Sequence, residues 1–367
     1  MKSVEDISLK KRIGLELFRR YKKNEAIAHK LNYLFWECTL RCNLACKHCG
    51  SDCHKDMRQS DMPLKDFLDV IDKSVTPHVD THSTMIVITG GEPLMRNDLE
   101  QCGQELYNRE YPWGFVSNGL ALSEKRVVNL LNAGLSAVTI SLDGLEEAHN
   151  TMRGNKDSFK QAFNAISLLT KTDIVFDVVT CVTSQTFSQL NYLRDLLIKT
   201  GVKKWRIFTV FPIGRAARHQ DLQLSPLQFK QLFDFIKNTR KEGRIDLSYG
   251  CEGFLGGYET EVRDHFYFCH AGINIGSILV DGSISACPNL RSNFTQGNIY
   301  KDDFWEVWSN RYQPFRNREW MKQDECKDCK HFRYCEGNGM HLRDEKGKLL
   351  FCHLKRIKEG ERRYNRY

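Results

Sequence analysis

The chain reads as an α/β protein, an incomplete (β/α)6 barrel of the TIM type followed by a cysteine-rich C-terminal domain, and two observations carry that reading. Between residues 31 and 245, short apolar runs alternate six times with segments of helical period, the rhythm of parallel strands joined by crossover helices. After about residue 246 that rhythm stops and cysteine and glycine become frequent.

Residues 1–27 come first as an N-terminal helical segment, with Leu9, Ile13, Leu17 and Tyr21 recurring every fourth position on one helical face that is expected to pack under the barrel. The candidate strands are 33–38, 85–89, 113–117, 137–142, 174–181 and 205–211, each rich in β-branched and aromatic residues. Helical patterns lie near 64–75, 97–108, 123–133, 158–170, 186–200 and 226–242. The last opens with Ser225-Pro226, a cap followed by proline at the first helical position. The expected organisation is therefore 1–27 helical, 28–245 barrel core, 246–352 cysteine-rich domain and 353–367 basic tail.

The 367 residues, 41% hydrophobic and 27% charged, are ordinary for a globular protein with a sizeable core. The charged start Met1-Lys2-Ser3-Val4-Glu5-Asp6 lacks the apolar centre of a signal peptide, and no run reaches membrane-spanning length, so a cytoplasmic setting is expected. Fourteen cysteines in such a chain argue for metal ligation or redox chemistry over a disulfide framework. The net charge of +8 fits an acidic peptide partner, RNA or plain solubility. Much of the excess sits between Lys355 and Arg366, read as a solvated tail or terminal helix, and no nucleic-acid module accompanies it.

In a barrel of this kind, catalytic groups collect on loops at the carboxyl ends of strands. There stand Cys42, Cys46 and Cys49, then Gly90-Gly91-Glu92-Pro93, Ser117-Asn118-Gly119, Ser141-Leu142-Asp143-Gly144, Thr180-Cys181 and Pro212-Ile213-Gly214-Arg215. Three loop thiolates spaced by three and then two residues can hold three corners of a [4Fe–4S] cubane and leave one iron open. A zinc loop or a set of buried thiols is the alternative, although structural zinc takes four ligands.

The Cys42–Cys49 loop, with His48 before its last cysteine, resembles the CxxxCxxC signature of the radical S-adenosylmethionine (SAM) enzymes. The resemblance covers roughly residues 30 to 245 and implies that SAM chelates the open iron and is split to a 5′-deoxyadenosyl radical. Gly90, Gly91 and Glu92 are similar to the family's GGEP loop, the glycines letting backbone oxygens approach a ligand ammonium and Glu92 fixing the loop. By the same resemblance Ser141 and Asp143 contact the ribose and methionyl carboxylate, Arg153 supplies a fork for a carboxylate, Asn118 joins the pocket, and Thr180 to Val182 border the adenine. Cys38, Cys53 and Cys102 are read as non-ligands.

The C-terminal cysteines resemble a SPASM domain, which implies one or two auxiliary [4Fe–4S] clusters. Cys326, Cys329, Cys335 and Cys352 would hold one, with structural zinc as the alternative for this set. Cys251, Cys269 and Cys287 would serve the other, where Gly339 stands in place of a further cysteine, so that the cluster has an open iron, recruits another ligand such as His341, or is absent.

The family resemblance implies hydrogen abstraction from a peptide or protein substrate, with an electron donor such as flavodoxin or ferredoxin. Formylglycine formation is one specific case, against which stands Pro288-Asn289 after Cys287, without the carboxylate of that subgroup. The chain also looks similar to a subgroup of SPASM proteins associated with lipoproteins. The alternatives are radical chemistry on a tetrapyrrole or carbohydrate, and a non-enzymatic zinc or iron–sulfur scaffold.

Overall fold

The computed structural model describes residues 3–290, 294–344 and 346–364; Met1-Lys2 of the charged start and Asn365 to Tyr367 of the basic end lie outside them. Seven strands follow one another in parallel: β1 (Tyr33–Thr39), β2 (Met85–Gly90), β3 (Trp113–Ser117), β4 (Leu135–Ser141), β5 (Val175–Val182), β6 (Lys204–Thr209) and β7 (Asp246–Tyr249). Helix α1 (Leu9–Ala28) precedes them. The crossovers are α2 (Leu64–Val70), α3 (Leu99–Asn108), α4 (Glu124–Asn132), α5 (Glu146–Arg153), α6 (Ser158–Leu169), α7 (Leu190–Thr200) and α8 (Pro226–Glu242). Each strand neighbours the next in sequence, the topology of a partial barrel.

The strand and helix patterns read from the sequence fall within a few residues of these elements. Two features differ. The parallel sheet runs past residue 245 into β7, which pairs with β6, so there are seven strands where six were expected. Helix α5 was not expected, because its buried positions are His149, Met152 and Arg153, which carry little apolar periodicity.

The C-terminal region extends the same sheet. Strand β8 (Ile275–Ile278) pairs in parallel with β1, and β9 (Ser283–Ser285) and β10 (Gly297–Asn298) continue antiparallel beyond it. Around them lie α9 (Phe304–Asn310), the one-turn helices α10 (Gln313–Arg316) and α11 (Phe332–Cys335), and α12 (His353–Tyr364). Of the two readings of the basic end, helix α12 is the terminal helix and not the solvated tail: His353, Leu354 and Ile357 are buried, and Phe351 before it meets Phe229 of α8.

Helix α1 also packs otherwise than expected. Leu9, Ile13 and Leu17 are 74%, 55% and 61% exposed, and the buried positions are Leu15 and Lys22. A helix carries several stripes, and here the one through Leu15, Phe18 and Lys22 faces the C-terminal region. Phe18 lies against Phe266 and Phe268, and Lys22 Nζ donates to the Tyr334 carbonyl at 2.8 Å.

Candidate active site at the carboxyl end of the sheet

The three cysteines of the first loop lie directly beyond β1, and the loop is braced from distant parts of the chain. Arg215 Nε donates to the Cys46 carbonyl at 2.8 Å, its Nη2 to the Cys53 carbonyl at 2.9 Å, and its Nη1 to Asp52 at 2.8 Å. Gly214 approaches so closely that a Cβ there would stand 2.3 Å from the Gly50 carbonyl oxygen, and its φ is +61°. From α5, the Met152 carbonyl accepts the Lys47 N–H at 2.9 Å. The sequence placed the 212–215 loop near the pocket; that Arg215 clamps the cysteine loop carried no local signal.

Cys42, Cys46 and Cys49 are electrostatic neighbours. Burial pushes the Cys42 thiol up to about 12 and raises Cys46. Cys49 is instead pulled down to about 5, first by hydrogen bonding to the Cys53 side chain. Cys53, read from the sequence as a non-ligand, is thus a close neighbour of the third cysteine. Three soft thiols in one braced loop form a donor set that suits an iron–sulfur cubane.

The Gly90-Gly91-Glu92-Pro93 loop is built against the exit of β1. A Cβ on Gly90 would stand 2.0 Å from the Thr39 carbonyl oxygen and one on Gly91 2.3 Å from that of Arg41, so both glycines are required by this backbone approach. Glu92 is buried, which raises its carboxyl, and its oxygens accept from the Leu94 N–H at 3.1 Å, Ser117 Oγ at 2.9 Å and the Asn118 N–H at 2.8 Å. It fixes the loop. Asn118 Nδ2 donates to Asn43 Oδ1 at 2.8 Å and stands 3.9 Å from Cys42 Sγ, tying the third strand end to the cysteines.

At the fourth strand end, Ser141 is half-buried and Asp143 is buried. Arg153 Nε donates to Asp143 Oδ2 at 2.8 Å, the Cys181 N–H donates to Oδ1 at 3.0 Å, and His48 Nε2 lies 3.5 Å from Oδ2. Burial alone would raise the Asp143 carboxyl, but Arg153, His48 and His149 hold it well below the usual carboxylate range. Asp143 therefore directs its oxygens into the protein and orients Arg153 and His48. His149 Nδ1 accepts the Asp143 N–H at 3.0 Å, which puts the ring proton on Nε2, 3.0 Å from Ser158 Oγ. Burial, then Arg153, lowers His149 to about 3. Thr180 Oγ1 donates to the Leu142 carbonyl at 2.6 Å and accepts from Trp205 Nε1 at 2.8 Å.

Beside the cysteine loop, a cleft of about 320 Å³ opens between Gly50-Ser51, Phe211–Gly214 and the C-terminal residues Asn289, Leu290 and His341. His341 packs its ring 4.8 Å from that of Phe211, and burial lowers it to about 4. The same ring fills the space at Gly339, where a Cβ would meet it at 2.7 Å.

The later cysteines gather into two groups. Cys287 has Cys251 and Cys269 as neighbours; Cys352 has Cys326 and Cys329, and Cys335 has Cys352 and Cys326. Arg343 Nη2 approaches Cys326 Sγ at 3.8 Å, and Cys335 Sγ donates to Asn338 Oδ1 at 3.1 Å. Among the described residues, no three His, Cys, Asp or Glu side chains converge as a single metal ion would require.

The radical SAM superfamily profile matches residues 36–197, and that of the SPASM iron–sulfur cluster-binding domain matches residues 269–330. Over 323 residues the chain is 32% identical to the mycofactocin maturase MftC of Mycolicibacterium smegmatis, covering 84% of this chain and 77% of that one. It is 25% identical over 339 residues to the AdoMet-dependent heme synthase of Nitratidesulfovibrio vulgaris, covering 84% and 90%. Its fold matches that of native anSMEcpe with bound AdoMet and Kp18Cys peptide, with a TM-score of 0.71 and 22% identity over 92% of this chain and 98% of that one.

The chain belongs to the radical SAM superfamily and carries a SPASM domain. It is an enzyme whose cofactors are a [4Fe–4S] cluster with SAM in the barrel and auxiliary iron–sulfur clusters in the SPASM domain, which removes the reading as a non-enzymatic scaffold. Among the described residues no helix is long and apolar enough to cross a membrane.

Proposed function

We propose that this enzyme modifies a peptide or protein by hydrogen abstraction. The observation that carries the reading is the cleft of about 320 Å³ beside the cysteine loop, open between the carboxyl end of the sheet and the C-terminal region and walled by Phe211, Ile213 and Leu290. The 32% identity to a maturase supports it. In this reading Cys42, Cys46 and Cys49 hold the cluster, which when bound delivers one electron to SAM and so releases a 5′-deoxyadenosyl radical. Arg215 and Asn118 hold the cysteine loop in register, Gly90, Gly91 and Glu92 shape the SAM pocket, and Ser141 and Arg153 line it, with Asp143 orienting the guanidinium. The C-terminal domain supplies one wall of the cleft through Asn289, Leu290 and His341.

Cys251, Cys269 and Cys287 hold one auxiliary cluster, and Cys326, Cys329, Cys335 and Cys352 the other. We take 28–245 with β7 as the catalytic core and residues from Gly250 through α12 as the auxiliary domain. Flavodoxin or ferredoxin in a reducing cytoplasm is the proposed electron source. The test is incubation of reduced, reconstituted enzyme with SAM and peptides encoded beside its gene, read by mass spectrometry. A mass change confined to one peptide and dependent on SAM supports the reading. A second reading, chemistry on a tetrapyrrole, is favoured by the similarity to a heme synthase across 84% of the chain; conversion of an iron porphyrin under the same conditions, with no peptide modified, would replace the first.

A further inference from the structure

Between α1 and the C-terminal domain runs a trough of about 690 Å³, none of whose lining residues belongs to the cleft at the cysteine loop. Its walls are cationic. On α1, Arg20 and Lys23 are exposed and have no ion-pair partner among the described residues. Opposite stand Arg316, held by the Gly272, Ser309 and Trp308 carbonyls, Arg333, paired with Glu16 of α1, and Arg318. The lining carboxylates are Glu319 and Glu336, and Glu336 is already paired with Lys22 at 2.8 Å.

Arg318 is the informative residue. It is 6% exposed; its Nε donates to the Phe315 carbonyl at 2.9 Å and its Nη2 to the Cys269 carbonyl at 2.8 Å. Its Nη1 has no hydrogen-bond partner. The guanidinium lies beside the Cys269 side chain and has no ion-pair partner among the described residues, so it leaves positive charge at the floor of the trough that draws an entering carboxylate. The trough is also lined by Phe268, Ile273, Phe315 and Phe332, apolar surface that a bare inorganic anion does not use.

The α1 residues on its wall run from Arg19 to Ile27, about 12 Å of helix, the length of roughly four residues of extended chain. Alternate side chains of such a chain point to opposite walls, so carboxylates at every second position face Arg20 and Lys23 of α1 while the apolar groups between them face the phenylalanine rings of the opposite wall. We propose that this trough docks a carboxylate-rich, partly apolar segment of a peptide, a part of the substrate remote from the reacting residue. This rests on the peptide reading above for the identity of the ligand.

The experiment measures fluorescence anisotropy of a labelled peptide of alternating Glu and Leu on the holoenzyme, beside its Lys and Leu counterpart. The Glu peptide binds and the Lys peptide does not. Reversal of the exposed rim by Arg20→Glu with Lys23→Glu weakens binding by about tenfold or more while SAM cleavage without peptide is unchanged; Arg318→Gln weakens it with the rim charges intact. Equal affinity in wild type and the reversed rim overturns the proposal. So does displacement by inorganic phosphate at matched ionic strength, which marks a small-anion pocket, or by equimolar flavodoxin or ferredoxin, which marks a redox-partner surface. Charge-dependent binding with no peptide ever modified upholds the docking site and defeats the reaction reading alone.

Discussion

Arg215 reaches back across 169 residues of chain to donate from Nε to the Cys46 carbonyl oxygen at 2.8 Å. The loop proposed to hold the cluster is thereby locked to the end of β6, and its shape depends on a residue far from it in sequence. Hydrogen bonds from a charged group contribute about 1.5–3 kcal/mol each. Arg215→Gln, which loses most of this clamp, is expected to lower apo-protein stability by about 3 kcal/mol in urea unfolding. It is also expected to leave the barrel cluster incompletely loaded by iron and sulfide counting. Full loading with wild-type SAM cleavage would remove Arg215 from the account.

Gly214 and Gly243 separate close approach from backbone strain. Both have positive φ, +61° and +68°, but a Cβ at 243 meets nothing within 4 Å whereas one at 214 collides with the Gly50 and Cys49 carbonyls. Gly243→Ala is expected to cost about 1 kcal/mol, the strain alone, and to spare the cluster. Gly214→Ala should cost several times that and reduce iron content, measured on the two variants side by side.

Asp143 and Arg153 are buried together, with Arg153 Nη2 2.7 Å from Asp143 Oδ2. Asp143→Asn leaves an uncompensated guanidinium and is expected to destabilise the protein by about 3–5 kcal/mol at neutral pH. Because the folded carboxyl titrates below its usual range, its contribution is complete above about pH 4 and is lost as pH falls toward the folded value, so the wild type and the variant should converge in acid. Urea midpoints from neutral pH down to the acid limit of solubility check this.

His149 stays neutral in the fold, its value lowered to about 3 by burial and by Arg153. The unfolded chain takes up its proton near pH 6.5, so stability from this residue is full above that pH and declines as pH falls toward 3. His149→Gln, which cannot titrate, should show a shallower decline, by up to about 1.4 kcal/mol per pH unit. Parallel profiles for the two proteins would mean that His149 is solvated or charged.

Much of this arrangement was legible before any coordinates, because parallel βα units announce themselves twice, by apolar strand runs and by helical period, and because chemistry collects at one end of such sheets. The seventh strand, Asp246–Tyr249, is only four residues long and carries polar side chains at alternate positions, too little for a pattern. Helix α5 hid because it buries His149 and Arg153 in place of apolar residues. The stripe of Leu9, Ile13 and Leu17 misled, since periodicity reveals a face but not whether another face of the same helix packs better. A contact such as Arg215 to Cys46 depends on tertiary closure and leaves no mark in local sequence, whereas Cys53, four residues past Cys49, was in plain view and its hydrogen bonding to Cys49 was what the sequence did not show.

The most direct test reduces the anaerobically reconstituted enzyme in the presence of SAM and quantifies 5′-deoxyadenosine, beside the variant carrying Cys42→Ala, Cys46→Ala and Cys49→Ala. The account predicts 5′-deoxyadenosine from the wild type and none from the variant, which keeps its auxiliary iron and loses one cubane. Equal 5′-deoxyadenosine from both proteins, or none from a fully loaded wild type, would contradict the assignment of these three thiols to the SAM cluster.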